Sequence, residues 1–108
     1  MARESLGEFE QRVLLAMLQL GGQAYSAPIV LELEERTGRA IAPASVYIAL
    51  RRMEKRGFVE SVLEQPEREI GGRGRRVFTV KPVAVEKLRV ARRELERLWA
   101  GLDPVLVG

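Results

Sequence analysis

The chain has 108 residues, of which 46% are hydrophobic and 31% are charged, an ordinary composition for one soluble globular domain with a small core. No apolar run approaches the roughly 18 residues that a membrane-spanning helix needs, so no membrane partner is expected. The polar, acidic start of the sequence does not fit a secretory signal, and a cytoplasmic location is therefore expected.

Cysteine and histidine are both absent from the sequence. Their absence removes thiolate chemistry and the side chain that most often transfers protons at neutral pH. No pair of carboxylates stands out as placed for acid–base catalysis. No catalytic residue, metal site or cofactor is therefore predicted, and an enzyme is disfavoured.

The positive charge is concentrated in the middle of the chain, although the formal net charge is +3. Residues 39–93 hold fourteen basic and six acidic side chains, whereas residues 1–38 hold three basic and six acidic ones. A concentrated basic segment indicates a surface for a polyanion such as a nucleic acid. The alternative is a solvated surface in an arginine-rich chain, since fifteen of the eighteen cations are arginine.

Two helices are predicted in the first third of the chain. Apolar residues from Gly7 to Leu20 recur at helical spacing, and a glycine pair ends that pattern. This helix is apolar on more than one side, so it lies either at the centre of the domain or against a second subunit. A second helix is predicted from an N-cap at Ser26 to a stop at Gly38.

A third helix is predicted for residues 43–56, because Pro43 suits a first turn and Gly57 suits the position after the last one. One side of it is apolar and is expected in the core: Val46, Ala49, Leu50 and Met53. The other side has small residues first and cations later, which suits a major groove. The candidate DNA contacts on that side are Ala44, Ser45, Tyr47, Ile48, Arg51, Arg52 and Lys55. The alternative is a surface helix with ordinary charges and Tyr47 half-buried in the core.

Two extended segments, 58–63 and 76–80, predict a β-hairpin around the sequence GGRGRR. A phosphate-binding loop is disfavoured, since the Lys-Ser/Thr pair is missing and a strand follows instead of a helix. One copy of an arginine–glycine motif is also poor evidence for a disordered RNA-binding segment. The motif therefore predicts a hairpin tip that presents Arg73, Arg75 and Arg76 to DNA. A solvated loop without a partner is the alternative.

A long last helix is predicted from Pro82 to about Ala100. Its apolar residues fall at steps of three and four, which forms a seam that a second subunit would cover. Together with the first helix, this seam supplies the candidate dimer contacts: Phe9, Val13, Met17, Leu88, Ala91, Leu95, Leu98, Trp99 and Leu102. The predicted fold class is mainly α with a small β-hairpin, in the order helix, helix, helix, hairpin, helix.

Three stretches of the chain resemble the PadR-like family of bacterial transcriptional regulators: LGEFEQRVLLAMLQLGGQAYSAPIVLELEERTGR, ASVYIALRRMEKRGFVES and GGRGRRVFTV. The resemblance covers about residues 6–99. Its specific parts are VY-x-x-L-x-R-(L/M)-E-x-x-G, from Val46 to Gly57, and the G-G-R-x-R-R hairpin. It implies a winged helix-turn-helix domain in residues 1–81. A C-terminal dimerisation helix and tail would follow in residues 82–108, as in the short form of the family.

By this resemblance, residues 43–56 would form the recognition helix and the 64–76 loop would form the wing. Tyr47 would contact DNA, and Leu50, Met53 and Phe58 would occupy core positions. The chain departs from the family at Val80-Lys81-Pro82, where Leu-Thr is usual, so the last helix is expected to have a different cap.

The function predicted from the residues and the resemblance together is a DNA-binding transcriptional repressor. It would bind double-stranded DNA as a homodimer at an inverted-repeat operator. Family members often respond to small phenolic or drug-like molecules, and Trp99 and the first helix would lie near such an effector at the dimer interface. The alternative is a winged-helix interaction module that binds an acidic protein partner.

Overall fold

The computed structural model describes residues 5–64 and 75–102 of the chain. Its elements in chain order are α1 Glu8–Gln19, β1 Gln23–Ala24, α2 Ser26–Thr37, α3 Pro43–Lys55, β2 Val59–Glu64, β3 Arg75–Val80 and α4 Pro82–Trp99. The predicted fold class, mainly α with a small β-hairpin and a long last helix, is confirmed. No helix among the described residues is long and apolar enough to cross a membrane.

Local sequence signals set the ends of α2 and α3. Gly38 adopts a left-handed conformation with φ of 72° and donates its N–H to the carbonyl of Glu34 at 2.9 Å, which ends α2. Gly57 has a φ of 85° directly after the end of α3, a conformation that glycine adopts without steric cost. The predicted N-cap at Ser26 is wrong by one residue, because Ser26 is already helical and Tyr25 occupies the cap position.

The core lies where α1, α2 and α3 meet the sheet. The predicted buried side of α3 is confirmed, since all four of its apolar residues are buried: Val46, Ala49, Leu50 and Met53. Phe78 of β3 is also fully buried and is among the largest side chains of this core. α3 therefore has one side fixed in the core, and its opposite side faces solvent.

Helix α1 occupies the centre of the domain, which decides between the two interpretations of its apolar pattern. Val13 and Met17 are both fully buried by their own chain, and Phe9 is half-buried against the same core. This burial corrects the predicted dimer interface, because Val13 and Met17 have no surface left for a second copy. The exposed apolar side chains of α1 are instead Leu15 and Leu18.

An ion pair joins the start of α1 to the end of α3. Glu10 is the buried charged residue of the described core, and its Oε1 accepts hydrogen bonds from the Gly7 N–H at 2.9 Å and from Arg56 Nη1 at 3.0 Å. The Arg56 guanidinium also lies 5.1 Å from the centroid of the Phe58 ring. Arg56 therefore serves the fold by joining α1 to the end of α3.

The sheet is antiparallel with the strand order β1-β3-β2. Its register pairs Val59 with Val80 and Glu64 with Arg75 in the hairpin, and Ala24 with Phe78 at the other edge. The sequence did not predict β1, because a two-residue strand shows no periodicity. Each hairpin strand reaches one residue further along the hairpin than predicted, to Glu64 and to Arg75. Residues 65–74 between them lie outside the described residues.

Helix α4 begins at Pro82, where the N-cap residue Lys81 makes no side-chain capping bond. Ala84 and Leu88 are buried in the common core, whereas Leu95 and Leu98 are 55% and 73% exposed. The first turns of α4 thus belong to the body of the domain, and its last turns leave an apolar side uncovered by the described residues.

Candidate nucleic-acid interface

The exposed side of α3 brings together the candidate contacts that the sequence predicts for this helix. An α-helix advances about 100° per residue, so positions 44, 48, 51 and 55 form one row opposite the buried side. Every member of the predicted set is solvent-exposed: Ala44, Ser45, Tyr47, Ile48, Arg51, Arg52 and Lys55. The small side chains lie in the first turn and the cations in the last two turns, so the N-terminal end of the helix presents the lower profile.

The three cations on this surface differ in their surroundings. Arg51 donates from Nη1 to the Tyr47 hydroxyl at 3.0 Å, and its Nε lies 3.2 Å from Oε1 of Glu54. Within the described residues, the side chains of Arg52 and Lys55 have neither an ion pair nor a hydrogen bond. Arg52 and Lys55 are therefore available to an external anion, whereas Arg51 is held in one direction.

Tyr47 belongs both to the packed body and to the exposed surface. Its ring meets the buried Phe78 ring edge-on, with centroids 6.0 Å apart and an interplanar angle of 83°. Its side chain is nevertheless 39% exposed, and its hydroxyl faces Arg51. Packing against Phe78 fixes the ring, so the position of the hydroxyl on the cationic surface is fixed as well.

The hairpin places both of its described cations on β3: Arg76 lies in the extended segment predicted for it, and Arg75 is the first residue of the strand instead of part of the loop. The Arg75 guanidinium lies 4.1 Å from the centroid of the Tyr25 ring, close enough for a cation–π contact. Arg76 donates from Nη1 to Ser61 Oγ on β2 at 2.9 Å. Arg73 lies outside the described residues. The strand positions arise because pairing extends to Glu64 and Arg75.

A cavity of about 330 Å³ lies between the start of α2, α3 and β3. Its lining combines phenol and guanidinium groups with the first residues of α2: Tyr25, Ser26, Ala27, Tyr47, Arg75 and Arg76. Such groups donate hydrogen bonds to anionic oxygens. The cavity therefore connects the cationic side of α3 with the base of the hairpin.

Tyr25 is a residue of this surface that the sequence did not indicate. Its hydroxyl donates a hydrogen bond to the Glu64 carboxylate, which ties the start of α2 to the base of the hairpin. This hydrogen bond is the main reason that the pKa of Tyr25 is raised above its ordinary value, while the nearby Arg75 acts in the opposite direction. Because Glu64 is 39 positions away in the chain, no local pattern could have revealed the contact.

The predicted dimer contacts on α4 fall into two groups. Leu88 is buried and Ala91 is half-buried within the chain. The remaining members are exposed and lie on the last turns of the helix or just after it: Leu95, Leu98, Trp99 and Leu102. We call these four residues the α4 seam. Among the described residues, no group of three or more His, Cys, Asp or Glu side chains is placed to hold a metal.

No protein-family model matches the sequence, and no curated protein matches it. Solved structures, by contrast, match almost the whole chain. A PadR-family transcriptional regulator from Eggerthella lenta is 24% identical, with a TM-score of 0.69 over 91% of this chain and 87% of that one. A PadR-like transcriptional regulator from Bacillus cereus is 19% identical, with a TM-score of 0.69 over 93% and 92% of the two chains.

A third similar structure is F93 from STIV, a winged-helix DNA-binding protein. It is 10% identical and has a TM-score of 0.67 over 84% of this chain and 90% of its own. These matches cover 84–93% of this chain and 87–92% of the similar ones. The chain therefore has the winged-helix fold, in the form found in PadR-family transcriptional regulators of known structure.

Proposed function

We propose that this chain is a sequence-specific DNA-binding transcriptional repressor that acts as a homodimer. The observation that carries the proposal is the exposed side of α3, where small residues precede cations and the hairpin cations lie alongside. The structural neighbours described above are transcriptional regulators and a DNA-binding protein, a non-enzymatic class. We base the proposed function on this surface and not on the fold, because one fold can serve several functions.

In this proposal α3 enters the major groove of the DNA. That groove is about 12 Å wide and admits one α-helix. Ala44 and Ser45 allow the N-terminal end of α3 to approach the base edges closely. Arg51 and Arg52 are long enough to reach bases or phosphates from the later turns, and Lys55 supplies a phosphate contact.

The hairpin adds contacts to the DNA backbone beside α3. Arg75 and Arg76 lie next to the cavity that Tyr47 lines, so the α3 surface and the hairpin surface are continuous. We assign Arg73, together with these two residues, to phosphates or to the neighbouring minor groove. Contacts of this kind fix the register of a protein on the duplex and make binding strongly salt-dependent.

A second copy of the chain would cover the α4 seam. The seam leaves Leu98 73% exposed, and a regular apolar stripe of this kind suits packing against another helix. In this arrangement residues 1–81 form the DNA-binding domain and residues 82–108 the dimerisation segment, although Ala84 and Leu88 complete the core of the first. A two-fold dimer would recognise an inverted repeat with half-sites about one helical turn, or a multiple of it, apart.

A small aromatic effector near this interface stays a prediction. A cavity of about 440 Å³ lies between the start of α1 and α4, and Leu6 and Val90 are among the residues that line it. Trp99 is the single tryptophan of the chain and is 51% exposed on the seam. Its fluorescence would therefore report both dimer formation and the binding of such a molecule.

Selection of bound sequences from a random pool of double-stranded DNA tests the proposed function directly. We expect an inverted-repeat sequence to be enriched, and gel shifts with that sequence to weaken steeply as salt rises. The variant Arg52→Ala with Lys55→Ala should bind all sequences more weakly. Failure to shift any DNA at low salt and micromolar protein would contradict the proposal and favour the acidic protein partner.

A further inference from the structure

Glu54 lies between α3 and the hairpin and contacts both. Its Oε2 accepts a hydrogen bond from Ser61 Oγ at 2.6 Å, and that same Oγ accepts one from Arg76 Nη1 at 2.9 Å. Its Oε1 lies 3.2 Å from Arg51 Nε. One carboxylate thus connects a cation of α3 with a cation of β3, and both cations belong to the proposed DNA-binding surface.

The direction of this network is fixed by the chemistry of its members. A guanidinium only donates hydrogen bonds and an ionised carboxylate only accepts them. Ser61 has one proton, which it gives to Glu54, so its lone pairs are left to receive Arg76. The Ser61 hydroxyl therefore links the Glu54 carboxylate of α3 to Arg76 of β3, and these two hydrogen bonds hold the hairpin against α3.

The contact between Glu54 and Arg51 is electrostatic and weakly directional. Oε1 of Glu54 is shielded from solvent and has no hydrogen bond within the described residues, although Arg51 Nε lies at ion-pair distance. The contact is therefore an ion pair without the alignment of a hydrogen bond, and the attraction between the guanidinium and the carboxylate remains. On its other side Arg51 donates to the Tyr47 hydroxyl. The side chain is thus held between a phenol and a carboxylate.

We propose that Glu54 is a specificity-determining positioning residue, and this inference rests on the DNA-binding function proposed above. An unrestrained arginine can reach many phosphates and is attracted to any DNA. Glu54 offsets part of the charge of Arg51 and restricts the directions that its side chain can take. Specificity is the difference between the affinity for the operator and the affinity for arbitrary DNA. A group that weakens binding to arbitrary DNA therefore raises the specificity.

The other cations of α3 provide the contrast within the same helix. Arg52 and Lys55 have no such partner among the described residues and supply sequence-independent attraction. Arg51 is paired with Glu54 directly and Arg76 is linked to it through Ser61. Both should contribute most to binding affinity when the DNA places its acceptor groups where these two side chains are held. Preorganised groups of this kind lose less conformational freedom on binding the correct site.

The test compares Glu54→Gln with the control Glu60→Gln. Glu60 precedes Ser61 on β2, is exposed and points to the opposite face of the hairpin, and its side chain has no ion pair or hydrogen bond within the described residues. Both variants lose one negative charge. Dissociation constants are measured by fluorescence anisotropy for the selected operator and for random DNA of equal length, each over a salt series.

We expect Glu54→Gln to bind random DNA more tightly and to lower the operator-to-random affinity ratio roughly tenfold, within the range that one base contact contributes. Glu60→Gln should shift both affinities together and keep the ratio. In an Arg51→Ala background, Glu54→Gln should change the ratio much less, because the residue through which Glu54 acts is missing. A purely structural role for Glu54 would not depend on Arg51.

Ser61→Ala keeps the pair of Glu54 with Arg51 and cuts the link to Arg76, so it tests the second arm even if Glu54→Gln unfolds. We expect a smaller fall in the affinity ratio, with thermal unfolding confirming that the variant folds. Equal ratios for Glu54→Gln, Glu60→Gln and the original chain would overturn the inference and leave the proposed function intact. Absence of DNA binding by the original chain would overturn both.

Discussion

Helices α3 and α4 are both amphipathic, but their exposed sides have opposite chemistry. α3 buries Val46 and Leu50 and presents Arg52 and Lys55 to solvent. α4 buries residues in its first two turns and then leaves Leu98 and its apolar neighbours exposed on the last turns. The same design, one side in the core and one side outward, thus produces two different surfaces.

Because of this difference, we expect the two surfaces to have different partners. Exposed arginine and lysine are well hydrated and need no partner for stability, so their clustering on α3 favours a polyanion. A row of exposed leucines beside Trp99 is unfavourable in water and becomes favourable when covered. Steps of three and four along that row favour another helix, and a second copy of α4 supplies one.

The largest effect is expected from charges placed on the α4 seam. Leu95→Glu with Leu98→Glu should convert the dimer to a monomer, because four carboxylates would face one another across the two-fold axis. Each half-site would then be bound separately, and operator affinity should fall about 100-fold or more. Light scattering measures the oligomeric state, and gel shifts measure the affinity for the operator.

The matched control for the seam variant is Arg93→Glu, which changes the charge by the same two units on the opposite side of α4. It should stay dimeric, with circular dichroism confirming that every variant is folded. A Leu95→Glu, Leu98→Glu chain that remained dimeric would show that the seam is not the subunit interface.

The two sides of α3 should respond differently to truncation. Leu50 is fully buried and Ile48 is 55% exposed. Leu50→Ala should lower the free energy of unfolding by about 2–5 kcal/mol, because it removes buried methyl groups and leaves a cavity. Ile48→Ala should change it by less than about 0.5 kcal/mol. Urea unfolding at one fixed protein concentration measures both, and similar decreases for the two would mean that Ile48 is covered in solution.

The exposed cations Arg52 and Lys55 of α3 should contribute to salt-dependent affinity. Arg52→Ala with Lys55→Ala should lower the slope of log affinity against log salt by about 0.9 for each phosphate that is no longer neutralised. The decrease in affinity should be similar for operator and random DNA, in contrast to Glu54→Gln. Arg93→Ala on α4 is the control and should leave the slope unchanged. An unchanged slope in the α3 variant would exclude these two residues from phosphate binding.

Local signals in the sequence predicted most of the fold. Pro43 and Gly57 bound α3 because a fixed φ angle suits its first turn and a positive φ suits the residue after its last one. The buried side of α3 followed from periodicity, since Val46, Leu50 and Met53 recur on one side of the helix and its cations lie on the other.

Features that depend on distant residues could not be predicted in this way. α1 is apolar on more than one side, so periodicity alone did not show that Val13 is buried and Leu15 exposed. The pairing of Glu64 with Arg75 extends the paired part of the hairpin one residue beyond each predicted segment. The positions of Tyr25 and of Glu54 relative to the hairpin depend on interactions that only the folded chain creates.

The smallest effect concerns the hairpin end of the cationic surface, where Tyr25 meets Glu64 and Arg75. The pKa of Tyr25 is raised by its hydrogen bond to Glu64, so the folded chain holds the phenolic proton more tightly than the unfolded chain. The stabilisation from this bond should be fully present below the ordinary tyrosine pKa of about 10 and lost as pH rises through the raised value. As pH rises into the alkaline range, the free energy of unfolding should therefore fall less for Tyr25→Phe than for the original chain.

Thermal unfolding over an alkaline pH series measures this difference. Because Tyr47 also absorbs, the difference in phenolate absorbance between the original chain and Tyr25→Phe follows the titration of Tyr25. Glu64→Gln serves as the control, because it removes the carboxylate and should return the pKa of Tyr25 towards its ordinary range. If Tyr25 titrates alike with and without the Glu64 carboxylate, the bond does not persist in solution. In that case the start of α2 is joined to the hairpin by the pairing of β1 with β3 and by the contact of Arg75 with the Tyr25 ring, and the hydrogen bond adds nothing to them.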